Sequence, residues 1–192
     1  MKKALIALLV VLVVVGVGYY AFSLYAVSKL DGTGGVPAPQ QELQQYASED
    51  GVSFMYPNSY ELSSRTEGNA ERQWDILVLM PKGYVPPEGG EGPPAITLSI
   101  YPNPEGLSLA QWVESDARSN YKLSADGALT PGTMGNEPAL FYMHSGLYES
   151  DAAVTSHDGK IYLFAAGWQA QGDQIRTDFN DLIKTVQFSD AN

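Results

Sequence analysis

The feature that most constrains this chain is a 24-residue run, Ala4 to Val27, with no charged side chain inside it. A helix rises about 1.5 Å per residue and a bilayer core is about 30 Å thick, so roughly 20 apolar residues cross it. Inside lipid every backbone amide must be paired within the segment, which leaves a helix as the state of a single span. Tyr19, Tyr20 and Tyr25 gather toward the far end, where amphipathic rings favour the membrane interface. Residues 1–30 are therefore expected to form an N-terminal transmembrane anchor. Ala26-Val27-Ser28 also fits a signal-peptide cleavage site, although signal-peptide cores run only about 7–15 residues. Lys2 and Lys3 precede the run and place the N-terminus in the cytoplasm. The expected location is the cell membrane, crossed once, with the C-terminal domain extracytoplasmic. Cleavage would leave the domain on the same side.

Beyond the run the chain is acidic. Eight of its 11 basic residues remain after Lys2, Lys3 and Lys29 are set aside, against 22 acidic residues, a net charge of −14. That balance repels nucleic acid and anionic headgroups, so neither is expected as a partner. There is no cysteine, so disulfides, thiol chemistry and thioether lipidation are excluded. The domain must cohere by packing alone.

Residues 31–45 (DGTGGVPAPQQELQQ) are rich in Gly, Pro and Gln and read as a flexible linker. A globular domain is expected over residues 46–192, a length that supports one core. Val52–Tyr56, Trp74–Met80, Ala95–Tyr101, Ala139–His144, Ala152–His157 and Lys160–Trp168 have strand composition, with weaker strands at Tyr60–Leu62 and Leu129–Met134. Trp74–Met80 and Ala95–Tyr101 form a candidate hairpin. Between them, Pro81–Pro94 is mostly Pro and Gly and reads as a mobile loop. Ser108 and Gln111 fit a capping box, which predicts a helix with Leu109, Trp112, Val113 and Ala117 on one face. Asp158-Gly159 predicts a two-residue hairpin turn that sets Thr155 opposite Tyr162 and Ala153 opposite Phe164. In that hairpin both faces are apolar, so the sheet should be covered on both sides. The turn at Gly146–Asp151 suggests that Ala139 pairs with Ala153. Asp173 should cap a last helix whose stripe is Ile175, Phe179, Leu182, Ile183 and Val186. Asp178, Asn180 and Asp181 fall on its expected solvated face.

Several of these segments resemble PsbP-like domains. Gly51-Val52-Ser53-Phe54-Met55-Tyr56-Pro57 resembles the family's opening strand. Gly135-Asn136-Glu137-Pro138-Ala139 resembles its mid-domain turn, and Asp158-Gly159-Lys160-Ile161-Tyr162 its later hairpin. Phe179, Ile183 and Phe188 resemble the closing helix and tail. The resemblance implies an α+β fold: an antiparallel β-sheet flanked by helices on both faces, an α/β/α sandwich. It also implies a domain that acts by binding partners, since no general catalytic centre comes with the fold. The Pro/Gly insertion and the anchor depart from soluble members.

Chemical motifs are absent. No H-E-x-x-H, G-x-S-x-G or phosphate-loop pattern occurs, and no catalytic residue, cofactor or metal ligand is assigned. Trp74, Trp112 and Trp168 sit at positions expected to pack the core. The candidate partner contact is Tyr84, Val85, Pro86 and Pro87, an aromatic and its apolar neighbours on a loop. The expected function is a membrane-tethered, extracytoplasmic accessory domain that binds another envelope protein, with lipid held by the N-terminal helix. Two alternatives stay open. One is an extracytoplasmic hydrolase using His144 and Ser145. The other is a module that binds divalent cations or a small ligand.

Overall fold

The computed structural model describes residues 41–49, 51–69, 72–85 and 94–189. The expected anchor, and the expected linker as far as residue 40, lie outside them. Ten strands are present among the described residues: β1 (Leu43–Ala47), β2 (Val52–Pro57), β3 (Tyr60–Gly68), β4 (Gln73–Pro81), β5 (Ile96–Pro102), β6 (Thr130–Met134), β7 (Glu137–Ser145), β8 (Glu149–His157), β9 (Lys160–Trp168) and β10 (Gln187–Phe188). Helix α1 spans Leu109–Ser115 and helix α2 spans Gln174–Thr185, with two 3-10 turns at Ala117–Ser119 and Tyr121–Leu123.

Seven strands form an antiparallel sheet in the order β3-β4-β5-β9-β8-β7-β6. Its centre is the hairpin that the Asp158-Gly159 turn dictates. Both turn residues have positive φ, 46° and 70°, as a primed turn requires. The register follows: Thr155 lies opposite Tyr162, Ala153 opposite Phe164, and Val154 opposite Leu163. The β4–β5 hairpin is also present, with Leu77 opposite Leu98.

Alternation along β9 sends Tyr162, Phe164 and Ala166 to one face and Ile161 and Leu163 to the other, and each set belongs to its own core cluster. The first face is covered by α2 and by a second, three-stranded sheet, β1-β2-β10. Val52, Phe54 and Tyr56 of β2 enter that core, where the Phe54 and Phe164 rings meet edge to face at 5.8 Å. Ile175, Phe179, Leu182 and Ile183 of α2 are buried there, and so is Val186, which caps the helix just past its end. On the other face Trp112 and Val113 of α1 cover Tyr101, Tyr142, Val154 and Leu163.

The two-sided cover agrees with the expected α+β sandwich, with one correction. One layer is a helix plus a small sheet, and the opposite layer is a seven-residue helix with 3-10 turns. The small sheet escapes sequence reading because β1 (LQQYA) is polar and mostly exposed; backbone pairing with β2 holds it. β1 thereby takes in Leu43–Gln45, the end of the expected linker. β3 runs nine residues instead of three, since as an edge strand it carries polar side chains. β7 and β8 pair two residues away from expectation, with Ala139 opposite Thr155, because β8 begins at Glu149. Pro81 closes β4 instead of opening a loop. The α1 capping box is present, but the helix stops at Ser115 and Ala117 is exposed in the following 3-10 turn.

Candidate functional site

Of the candidate contact, Tyr84 and Val85 are described and Pro86 and Pro87 are not. Tyr84 is 38% exposed and Val85 83% exposed. They leave the end of β4 beside the β2–β3 turn, where Lys82 N–H donates to the Ser59 carbonyl at 2.8 Å and Lys82 Nζ to the Asn58 carbonyl at 2.6 Å. The start of the described domain joins the same turn. Gln41 Nε2 donates to Ser59 Oγ at 3.0 Å, and Asn58 N–H to the Glu42 carbonyl at 2.8 Å. The point where residues 1–40 attach and the base of the Tyr84–Val85 arm thus share one end of the domain.

Strand register shows what else lies at that end. Tyr60 pairs with Pro81, Leu79 with Ile96, Ile96 with Ala166, Ala166 with Asp151, and Asp151 with Met143. One step further along, Trp168 pairs with Glu149 and Glu149 with Ser145. The β7–β8 turn carrying Leu147, 65% exposed, is therefore at the same end as Val85. Leu43, 54% exposed, pairs with Pro57 next to the same β2–β3 turn. Sequence reading named Tyr84 and Val85 and did not name Leu43 or Leu147, which are exposed as well. Only strand register brings these four together.

The histidines serve structural positions. His144 faces the α1 side of the sheet, is 8% exposed, and packs near the Tyr142 ring with its Nδ1 unpartnered. Burial holds its pKa below the usual imidazole value. Ser145 points away and donates to the Glu149 carboxylate at 2.9 Å. The two hydrolase candidates therefore do not meet. His157 lies on the opposite face, stacked on Phe188 at 5.0 Å, with its Nδ1 2.8 Å from Glu137 Oε1. Burial opposes its charged form, but the Glu137 hydrogen bond and the Asp158 charge outweigh it and raise the pKa. Among the described residues no cluster of three or more His, Asp or Glu is arranged to hold a metal ion.

Two charged groups were unforeseen. Asp178, expected in solvent, is 5% exposed; it accepts from Tyr60 Oη at 2.7 Å and Gln174 Nε2 at 3.0 Å. Burial and this carboxylate raise the Tyr60 pKa. Arg176 forms a two-point pair with Asp151, 2.6 and 2.9 Å, and stacks 4.2 Å from the Trp168 ring centre. It borders a cleft of about 320 Å³ floored by Phe141, Met143 and Phe179. With Asp151 already on it, Arg176 offers that cleft no free charge for an anion. Arg65, Arg72, Arg118 and Lys184 also each hold a carboxylate within 2.7 Å.

No protein-family model and no curated protein sequence matches the chain. Among solved structures, the solution structure of cyanobacterial PsbP (CyanoP) from Synechocystis sp. PCC 6803 is similar over 82% of this chain and 98% of its own, with a TM-score of 0.53 and 15% identity. A 1.50 Å crystal structure from Bacteroides thetaiotaomicron VPI-5482 matches over 76% of this chain and 48% of its own, with a TM-score of 0.46 and 11% identity. The strand order, the two-sided sheet and the near-complete coverage of CyanoP give the described domain a PsbP-like fold.

Proposed function

We propose that this chain is a membrane-tethered, extracytoplasmic PsbP-like domain of accessory type, which binds another envelope protein and performs no chemistry of its own. The observation that carries this reading is the pairing of a PsbP-like fold with exposed apolar side chains at the end where the N-terminal segment attaches. The apolar run Ala4–Val27 supplies the anchor. Among the described residues no helix is long and apolar enough to cross a membrane. Tyr84 to Pro87 is the proposed contact arm. The residues named for hydrolysis, His144 and Ser145, are committed to the core and to Glu149.

The test is affinity capture from detergent-solubilised membranes, using the full chain and a variant in which residues 86–93 are replaced by a short Gly-Ser link. The full chain should recover a defined membrane protein, and the variant should lose most of it. Recovery of no specific protein by either form overturns the partner-binding role.

A further inference from the structure

We propose that the free edge of β3 takes up an added strand: an extended, basic segment of the partner protein pairs with it and continues the large sheet. This deepens the proposed function and rests on its partner-binding role. It names how the partner docks.

Three observations converge. The first is an open ladder. Among the described residues β3 is paired with β4 alone. Two backbone bonds fix which of its amides face outward. Lys82 N–H donates to the Ser59 carbonyl at 2.8 Å, and Asn69 N–H to the Arg72 carbonyl at 3.0 Å. In an antiparallel pair the bonded residues alternate, and the register runs unbroken from Tyr60–Pro81 to Gly68–Gln73. Glu61, Ser63, Arg65 and Glu67 therefore bond to β4. Leu62, Ser64 and Thr66 turn their N–H and carbonyl groups away from it, to the open edge. The second is lack of protection. Sheet edges are commonly blunted by shortness, by Pro, by Lys or by a bulge. The opposite edge, β6, has five residues and contains Pro131. In the small sheet β1 has five residues and β10 two. β3 has nine, without Pro, Lys or a bulge.

The third is what flanks the edge. Between β3 and the end of β1 opens a cleft of about 360 Å³, lined by Leu77, Ile100, Tyr46 and Ser48 as well as Ser64 and Thr66. Side chains of an added strand point alternately to the two faces, so every second one faces this cleft. Glu49, Glu61, Glu67 and Asp75 carry the charge here, against Arg65, which Glu67 already holds at 2.6 Å. A strand bearing Lys or Arg is attracted, whereas a second copy of this acidic chain is repelled. Tyr60 pairs with Pro81, so the edge begins beside the base of the Tyr84–Val85 arm, and one partner can engage both.

The test is amide hydrogen exchange, read by NMR on the full chain in detergent micelles, with the end-blocked peptide Lys-Val-Lys-Val-Lys-Val-Lys as probe. Without peptide, the amides of Leu62, Ser64 and Thr66 should exchange fast, and those of Ser63 and Arg65 slowly. With peptide at about ten times its dissociation constant, exchange at Leu62, Ser64 and Thr66 should slow about tenfold. The counterpart peptide with Glu in place of Lys should have no effect. Slow exchange at Leu62, Ser64 and Thr66 without peptide overturns the proposal. If that protection grows with protein concentration, a second copy holds the edge; if it does not, another segment of this chain does. Fast exchange that the basic peptide leaves unchanged overturns it too. Ser64→Pro removes an outward N–H and no ladder bond, and should abolish the protection. Glu49→Lys combined with Glu61→Lys leaves the backbone intact and should weaken peptide binding about fivefold. Affinity capture from solubilised membranes separates the edge from the role it rests on. Recovery of a partner that Ser64→Pro leaves undiminished overturns the edge alone, and recovery of none overturns the role and the edge together.

Discussion

At the scale of single residues, the two histidines pull stability in opposite directions with pH. An unfolded imidazole titrates near 6.5. His144 titrates lower in the fold because burial disfavours its charge. Its contribution is complete above the unfolded value and is lost as pH falls through the folded one. His157 titrates higher in the fold, so its contribution is complete below the unfolded value and is lost as pH rises through the folded one. His144→Phe removes a ring nitrogen that has no partner but puts a larger ring into a buried site. At pH 7.5 it should cost about 1–3 kcal/mol of stability. On going to pH 5.5 its urea midpoint should fall less than that of the unsubstituted protein. Equal falls would show that another group governs this window. Neither histidine's environment was legible from sequence. A lone His at a strand end says nothing about which face it takes. That became readable only once the β7–β8 register was known, and the Gly146–Asp151 segment did not fix that register.

At the scale of elements, turns decided what could be read. Asp158-Gly159 is a turn with only one good geometry, and it delivered the β8–β9 register residue by residue. The β6–β7 turn, Gly135-Asn136, has the same positive φ signature, and it carries a second load. A Cβ on Gly135 would meet the Phe188 ring at 2.6 Å, whereas one on Gly159 meets nothing within 4 Å. Both glycines have φ near 60–70°, so an alanine at either bears the backbone strain of about 1–3 kcal/mol. Gly135→Ala should also displace Phe188, and its denaturation midpoint should lie clearly below that of Gly159→Ala. Coincident midpoints would mean that β10 is not seated on the turn. The elements that sequence missed, β1 and most of β3, lie at sheet edges. There half or more of the side chains face water, and the period-two signal disappears.

At the scale of the whole molecule, the large sheet announced itself through its two apolar faces, while the small sheet did not, because it joins segments remote in sequence. β10 pairs with β2 across more than 130 positions: Phe188 lies opposite Val52, and Ser189 N–H donates to the Gly51 carbonyl at 2.9 Å. Phe188 also packs on His157 and Tyr162. A chain ending at Val186 should lose about 2–4 kcal/mol in equilibrium unfolding, while one ending at Ser189 should match the full chain. No loss in the shorter form would demote β10 to an ornament of the fold. If the loss is found, it bears on biosynthesis. The ribosome makes Phe188 after every other element of the described domain, so the nascent domain remains incomplete until β10 has emerged. A prematurely terminated product would leave two aromatic rings uncovered, a ready mark for proteases that clear unfinished polypeptides.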